Sequence, residues 1–382
     1  MRFDTALIHG GAEPEESGAV VGAIQRSTTY VTREGESYSD VRYARLSNTP
    51  QHDRLHARLA AVCAGEAALG VSSGMAAIAV ALCEVVPPGG RVVASRTLYG
   101  GSLVLLDTEM KERGVEVVFV DATDTKEMDD ALAAAPTDAL YLEPLSNPLL
   151  GVANMKGAVS SARRRGAKLV VDNTFLSPAN ARPLELGADV VVHSATKYMA
   201  GHTDVVAGVI VGRDPELIER MRRRAYRVGH NLDPQAAFLL ERGLKTLGLR
   251  VARQNATAIE LAAALAEDER VVRALHPSLP NHPGKFRLER WALGAGGVFA
   301  FELAAGLDAQ AFARALEFAA YAPSLGGAES LVTIPWRTSH ASISPRRRLE
   351  LGVTQNLVRY SVGLEDPHDL IRDVKRALDA VS

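Results

Sequence analysis

A single lysine, Lys197, stands just beyond a short apolar run in the segment DVVVHSATKYMAGHTD, residues 189–204. Val190, Val191 and Val192 have the pattern of a strand buried on both faces. An ammonium at the end of such a strand is costly unless it is paired or loses its proton. One chemistry tolerates that position: a lysine with a depressed pKa is a nucleophile that condenses with an aldehyde. Ser194 and Thr196 flank it with two hydroxyls able to donate to a phosphate. A second apolar run, Leu169 to Val171, ends in an acid, Asp172. Taken singly, Lys197 reads as a snorkelling surface residue and Asp172 as a helix cap or turn acid. Together with the hydroxyls they supply what pyridoxal phosphate requires, an amine for its aldehyde and an acid against its ring nitrogen.

Such residues need a scaffold that delivers them to one place. Strand and helix patterns alternate through Arg91–Ala94, Val115–Val120, a helix over 125–135, Ala139–Leu142, a helix over 154–165 and Lys168–Val171. That alternation predicts parallel βαβ units, whose ligands gather at the carboxyl ends of the strands. Tyr99, Glu143, Asn147, Asp172 and Lys197 all fall at such ends. Ser73, Gly74 and Met75 lead from a strand into an alanine-rich helix, whose free N–H groups suit a phosphate. Tyr99, before a glycine turn, can lie flat on an aromatic ring. Residues 1–50, rich in Gly, Ser, Thr and Tyr, read as an extended N-terminal arm. Residues 51–245 read as a large α/β domain, and 246–382 as a smaller α/β C-terminal domain entered through a long helix over 247–267.

The chain has 382 residues, enough for two domains, and 47% apolar with 23% charged residues is a globular rather than a disordered composition. A net charge of −2 argues against nucleic-acid partners. The Arg triplets 163–165, 222–224 and 346–348 read as solvated faces or turns. Cys63 and Cys83 form no C-x-x-C pair and read as packed thiols. The opening residues lack a signal-peptide core, and the longest apolar stretch is too short to span a bilayer, so a cytoplasmic, non-membrane enzyme is expected. His52 and His56 have the spacing of a metal pair on a helix over 51–63, but no third ligand suggests itself. No metal site is expected there, only a solvated helix face, and residues 276–283 read as a rigid surface loop without chemistry.

The string D-x-V-x-H-S-x-T-K-Y-x-x-G-H-x-D resembles the active-site signature of the pyridoxal-phosphate enzymes of cysteine and methionine metabolism. These trans-sulfuration enzymes include cystathionine synthases and lyases, methionine γ-lyase and O-acylhomoserine sulfhydrylases. The resemblance runs over nearly the whole chain. It implies the fold of type I pyridoxal-phosphate transferases: a mostly parallel, seven-stranded sheet in the large domain, a smaller C-terminal domain and an arm that crosses to a neighbouring subunit. Tyr43-Ala-Arg45-Leu-Ser-Asn48-Thr-Pro50 is similar to Y-S-R-x-x-N-P-T, which implies that Tyr43 and Arg45 bind the neighbour's cofactor phosphate. Here the order is Asn-Thr-Pro. Ser73-Gly74-Met75 matches S-S-G-M-A-A, and Tyr99 takes the tyrosine's place in L-Y-G-G, stacking on the pyridine ring and assisting proton transfers. Glu143-Pro-Leu-Ser-Asn147-Pro148 resembles E-T-P-S-N-P with the first proline displaced, which implies that Asn147 contacts the cofactor ring oxygen or the substrate. Ser324-Leu-Gly-Gly327-Ala-Glu-Ser330 matches S-L-G-G-x-E-S, so Ser324 helps hold the substrate. Arg359 in R-Y-S-V-G-L-E resembles the arginine of R-L-S-V-G-L-E and would bind the α-carboxylate. Before Ser324, where a Glu is frequent in γ-lyases and bacterial γ-synthases, stands Pro323, which offers no side-chain acceptor.

The expectation is therefore a carbon–sulfur lyase, carrying out β- or γ-elimination on cystathionine or a related sulfur amino acid in the manner of cystathionine γ-lyase. A γ-replacement enzyme, joining an activated homoserine to a thiol, shares the same machinery and stays open. A non-catalytic relative acting as a binding or regulatory module would have lost Lys197, Asp172 or Arg359, and all three are present. A phosphate site completed by Tyr43 and Arg45 across an interface requires at least a homodimer, and the resemblance implies a tetramer.

Overall fold

The apolar runs that flank Asp172 and Lys197 are central strands of a sheet covered on both faces. The structure, a computed structural model, describes residues 1–11, 18–35 and 40–382. Its first sheet comprises β1 (Ala67–Val71), β2 (Arg91–Ser95), β3 (Glu116–Val120), β4 (Ala139–Leu142), β5 (Lys168–Asp172), β6 (Val190–Ser194) and β7 (Gly208–Gly212). They lie in the order β1-β7-β6-β5-β4-β2-β3. The strands from β2 to β6 are mutually parallel, while β7 runs antiparallel to both its neighbours. Val190 and Val192 pack on one face with the helices Gly74–Val85 and Pro215–Val228, and Val191 packs on the other with Leu55 and Leu59 of helix Pro50–Cys63. Burial on both faces is why β6 reads as an unbroken apolar run.

The register brings the functional ends together. Asp172 lies opposite Val192, and Ser194 opposite Gly208, which also pairs with Val71. The chain following β1 therefore meets the chain following β6. A Cβ on Gly208 would sit 1.9 Å from the Ser73 carbonyl oxygen, so only glycine permits this approach.

A second sheet holds β8 (Val271–Leu275), β9 (Val298–Leu303), β10 (Ala320–Tyr321), β11 (Leu331–Thr333) and β12 (Leu357–Ser361), in the order β10-β11-β12-β9-β8. Phe299 stacks on Tyr360 at 5.3 Å between ring centroids, anchoring β9 to β12. The helix Leu247–Ala266 joins the two sheets chemically. Its Arg250 donates to the carbonyls of Tyr198 (2.8 Å) and Gly243 (2.8 Å), and its Gln254 donates to that of Gly327 (2.7 Å).

Several expectations need correction. The first residues are not extended: Phe3–His9 is a helix whose Ala6 and Leu7 are buried, held by Arg58 donating to the Leu7 (2.7 Å) and Ile8 (2.6 Å) carbonyls. The helix face at His52 is not solvated. His52 is fully buried between the Thr49 hydroxyl (2.7 Å) and the Leu232 carbonyl (2.8 Å), and burial holds its pKa below the usual range. His276 is no surface residue either; it is buried against the Ser278 hydroxyl (2.6 Å) and the Gly296 carbonyl (3.2 Å). Arg348 is buried too, with its guanidinium 4.1 Å from the centroid of the Trp336 ring. In each case a polar side chain finds a specific tertiary partner, which periodicity alone does not reveal. Among the described residues no group of three or more His, Cys, Asp or Glu could hold a metal ion, and no helix is long and apolar enough to cross a membrane.

Candidate active site

A cavity of about 560 Å³ opens at the carboxyl ends of β4, β5 and β6 and is closed from the other side by β12 and the loop before β11. Its size and mixed lining suit a small organic ligand. Lys197 reaches it from the turn after β6, and its Nζ donates to Ser324 Oγ at 2.8 Å. Burial, assisted by the positive charge of Arg359, lowers the lysine pKa to about 8. The backbone of Ser324 has φ +116°, a conformation that residues with side chains rarely adopt. It allows one residue to present its hydroxyl to Lys197 and its carbonyl to Arg359 Nη2, at 2.9 Å.

Arg359 projects from β12, and its Nη1 donates to Asn147 Oδ1 at 3.1 Å. Its Nε is buried without a hydrogen-bond partner in the structure, a vacant donor facing the need for an anion. Burial pulls its pKa down to about 10, so the group stays cationic at neutral pH.

Asp172 ends β5. Its Oδ1 accepts from the Thr174 backbone N–H (3.0 Å) and hydroxyl (2.6 Å), and that hydroxyl in turn accepts from Ser194 N–H at 2.8 Å. Burial raises the Asp172 pKa to about 6, against the lowering effect of the Thr174 bonds. A proton-bearing ring nitrogen placed against Oδ2 would reverse that penalty.

The N-terminal end of helix Gly74–Val85 offers a cradle suited to an anion. Ser73 caps it by accepting from Ala76 N–H at 3.1 Å, which leaves the N–H groups of Gly74 and Met75 without intrahelical acceptors. A Cβ on Gly74 would lie 2.6 Å from that of Ser194, so the helix end is pressed against the turn that carries Ser194 and Thr196. Thr196 Oγ1 donates to the Ala207 carbonyl (3.2 Å) and accepts from Ala207 N–H (3.0 Å), which fixes this turn. An amine, an acid with an available oxygen and an anion cradle in one cavity fit pyridoxal phosphate.

Of the residues singled out in the sequence, Ser73, Gly74, Met75, Tyr99, Asn147, Asp172, Ser194, Thr196, Lys197, Ser324 and Arg359 line this cavity. Tyr43 and Arg45 do not. Tyr43 bridges Thr29 in the exposed arm, and Arg45 lies 5.6 Å from the Tyr43 ring, its Nη1 3.4 Å from the Tyr226 carbonyl. Glu143, placed at a strand end by the sequence but given no role there, also lines the wall, and the structure adds Thr174, Thr338 and Ser339. Glu143 carried the same signal as Asp172, an acid closing a buried strand. Thr174, two residues after Asp172, has the spacing of a local side-chain turn. Nothing in local pattern marks Thr338 or Ser339, which a distant loop brings in.

Residues 4–379 match the family model of Cys/Met metabolism PLP-dependent enzymes. The chain is 38% identical to the cystathionine γ-lyase of Bacillus subtilis (strain 168), covering 100% of both chains. It is 41% identical to the L-methionine γ-lyase of Pseudomonas putida, over 99% of this chain and 97% of that one. The crystal structure of cystathionine γ-synthase from Xanthomonas oryzae pv. oryzae in complex with cystathionine superimposes with a TM-score of 0.95 at 35% identity, covering 100% of this chain and 98% of that one.

Proposed function

The chain belongs to the family of Cys/Met metabolism PLP-dependent enzymes, and on that premise we propose that it is a carbon–sulfur lyase acting by β- or γ-elimination on cystathionine or a related thioether amino acid. It is an enzyme, its cofactor is pyridoxal 5′-phosphate and its substrate is an amino acid. The observation that carries the reading is the Lys197–Ser324–Arg359 chain of contacts: the reactive amine and the carboxylate anchor share one serine, through its hydroxyl (2.8 Å) and its carbonyl (2.9 Å).

The cofactor, when bound, supplies an electron sink conjugated to the substrate α-carbon. Arg359 binds the α-carboxylate through its unpartnered Nε, and Asn147 and Ser324 hold the guanidinium plane in position. Lys197 removes the α-proton at Nζ, and a pKa lowered from 10.5 to about 8 makes the free amine far more accessible near neutral pH than that of an ordinary lysine. Asp172 keeps a proton on the ring nitrogen. Tyr99 covers the ring and, with Lys197, handles the proton of the leaving sulfur. Ser73, Gly74, Met75, Ser194 and Thr196 take the phosphate, and Tyr43 and Arg45 complete that site from a neighbouring subunit. The functional unit is then a homodimer at least, with a tetramer expected. The chain divides at about residues 50 and 245 into arm, large domain and C-terminal domain, and it works in the cytoplasm.

A γ-replacement reaction, with a thiol entering where elimination would end, is the second reading. It is favoured by the likeness to a γ-synthase over the whole chain. Incubation with cystathionine and identification of the keto acid separates the two. 2-Oxobutyrate establishes γ-elimination and pyruvate β-elimination. A yellow, cofactor-loaded protein that releases neither, but joins O-acylhomoserine to cysteine or sulfide, overturns the lyase reading in favour of replacement.

A further inference from the structure

We propose that Glu143 is a positioning residue that sets two walls of the active site at once. Its carboxylate receives the Tyr99 backbone N–H at Oε1 (2.6 Å) and the Asn147 backbone N–H at Oε2 (3.3 Å). Tyr99 begins the turn into the helix Gly100–Leu105 and carries the aromatic ring that faces the cavity. Asn147 carries the amide oxygen that receives Arg359 Nη1 at 3.1 Å. One buried side chain at the end of β4 thus ties the aromatic wall to the carboxylate anchor, although Tyr99 and Arg359 lie in different halves of the sequence.

The chemistry of the bridge demands a carboxyl group. Two N–H groups converge on the two oxygens of one side chain. Burial and the charge of Asp172 push the Glu143 pKa well above the usual carboxylate range, the two N–H bonds oppose that, and both oxygens can accept in either form. An amide offers one oxygen and one NH2, so Gln at this position must face one N–H with a donor. The 2.6 Å contact is the stronger, so Gln keeps Tyr99 and abandons Asn147. Asp keeps both acceptor oxygens but is one methylene shorter and cannot reach both groups. Glu143 touches neither substrate nor cofactor in this account and acts through Tyr99 and Asn147.

The inference rests on the proposed amino-acid site, and its test has a readout that does not need turnover. Glu143→Gln and Glu143→Ala are prepared as holoenzymes. KM and kcat are measured on the sulfur amino acid that the parent accepts. The dissociation constant of glycine, which has no substituent to eliminate, is read from the absorption band of the bound cofactor. For Glu143→Gln the expected result is a rise of about tenfold in both KM and the glycine constant, with kcat within about threefold, because only the Asn147–Arg359 arm is released. Glu143→Ala adds a loss of about tenfold in kcat as the Tyr99 arm is freed. A residue that served stability alone would lower the melting temperature and the loaded fraction while leaving KM and the glycine constant of the surviving holoenzyme unchanged. That result, or a glycine constant for Glu143→Gln within about twofold of the parent, overturns the proposal. Should Glu143→Gln fail to fold, Glu143→Asp replaces it with the same expected rise. A parent that binds glycine but turns over no sulfur amino acid sinks the lyase reading and leaves the role of Glu143 to be decided by the glycine constants.

Discussion

The wall of the cavity built on β4, β5 and β6 and the arm that carries Tyr43 and Arg45 are opposite solutions to placing a side chain. In the wall each functional group has a second, fixed partner. Thr174 holds Asp172 and Ser194, Glu143 holds the backbones of Tyr99 and Asn147, and Ser324 holds Lys197 and Arg359. In the arm Val20 is 99% and Val31 92% exposed, and Arg45, also exposed, lies over the Tyr43 ring and makes a long contact to a backbone carbonyl. Strand ends in a close-packed sheet inherit their geometry from the sheet. An arm with apolar side chains turned outward takes its geometry from whatever it packs against, which in the proposed assembly is a second copy of the chain.

Changes in the wall are therefore expected to act at any protein concentration, and changes in the arm to act through assembly. Lys197→Ala is expected to have the largest effect: turnover falls by at least about a thousandfold and the yellow band of the bound cofactor disappears. Steady-state turnover retained by that variant would remove Lys197 from the mechanism. Arg359→Ala comes next. KM for the amino acid should rise by roughly a hundredfold with the cofactor still loaded, since a charge-assisted pair to the carboxylate is lost. Equilibrium dialysis of the cofactor alongside initial rates distinguishes this from a loading defect. Arg45→Ala is expected to weaken cofactor retention by about tenfold and to leave KM nearly unchanged. Mixing it with a Lys197→Ala chain gives hybrid dimers that regain one intact site in part, an outcome that a purely intra-chain role for Arg45 could not produce.

The smallest effect sharpens the wall's side of the contrast. Lys197 has a pKa of about 8 in the folded chain against 10.5 ordinarily. Uptake of pyridoxal phosphate by the cofactor-free protein should then accelerate as pH rises through about 8 and level off above it, rather than climbing toward 10.5. Rapid-mixing absorbance at a series of pH values reads this directly. The same shift fixes a sign for stability. Between pH 8 and 10.5 the unfolded chain binds the proton that the folded chain has lost, so this group makes the cofactor-free fold more stable as pH rises across that window.

Much of the wall was legible beforehand because its signals are local. Val190–Val192 before Lys197 and Leu169–Val171 before Asp172 announce buried strands by composition alone, and the structure puts both runs inside the sheet. The apolar residues from Val205 enter a strand only at Gly208, because the turn fixed by Thr196 and Ala207 consumes the residues before it. The buried histidines escaped notice for the converse reason. His52 and His276 look like surface polar residues in one dimension, and only partners far along the chain, Leu232 and Gly296, make their burial tolerable.

By itself the sequence determined the parallel α/β architecture, the amine and acid that converge on one cavity and are proposed to meet the cofactor, and the residues at the helix end that suit its phosphate. These depend on contacts within a strand and its following turn, whose periodicity and composition are visible without a third dimension. Tertiary structure alone decided that Ser324 would adopt φ +116° between Lys197 and Arg359, that Glu143 would gather Tyr99 and Asn147, and that Tyr43 and Arg45 would stand outside the cavity of their own chain. The first two join residues from separate elements through single side chains, and the third follows from the path of the arm, whose Arg45 reaches the Tyr226 carbonyl instead of the cavity. Packing, not pattern, fixes such contacts.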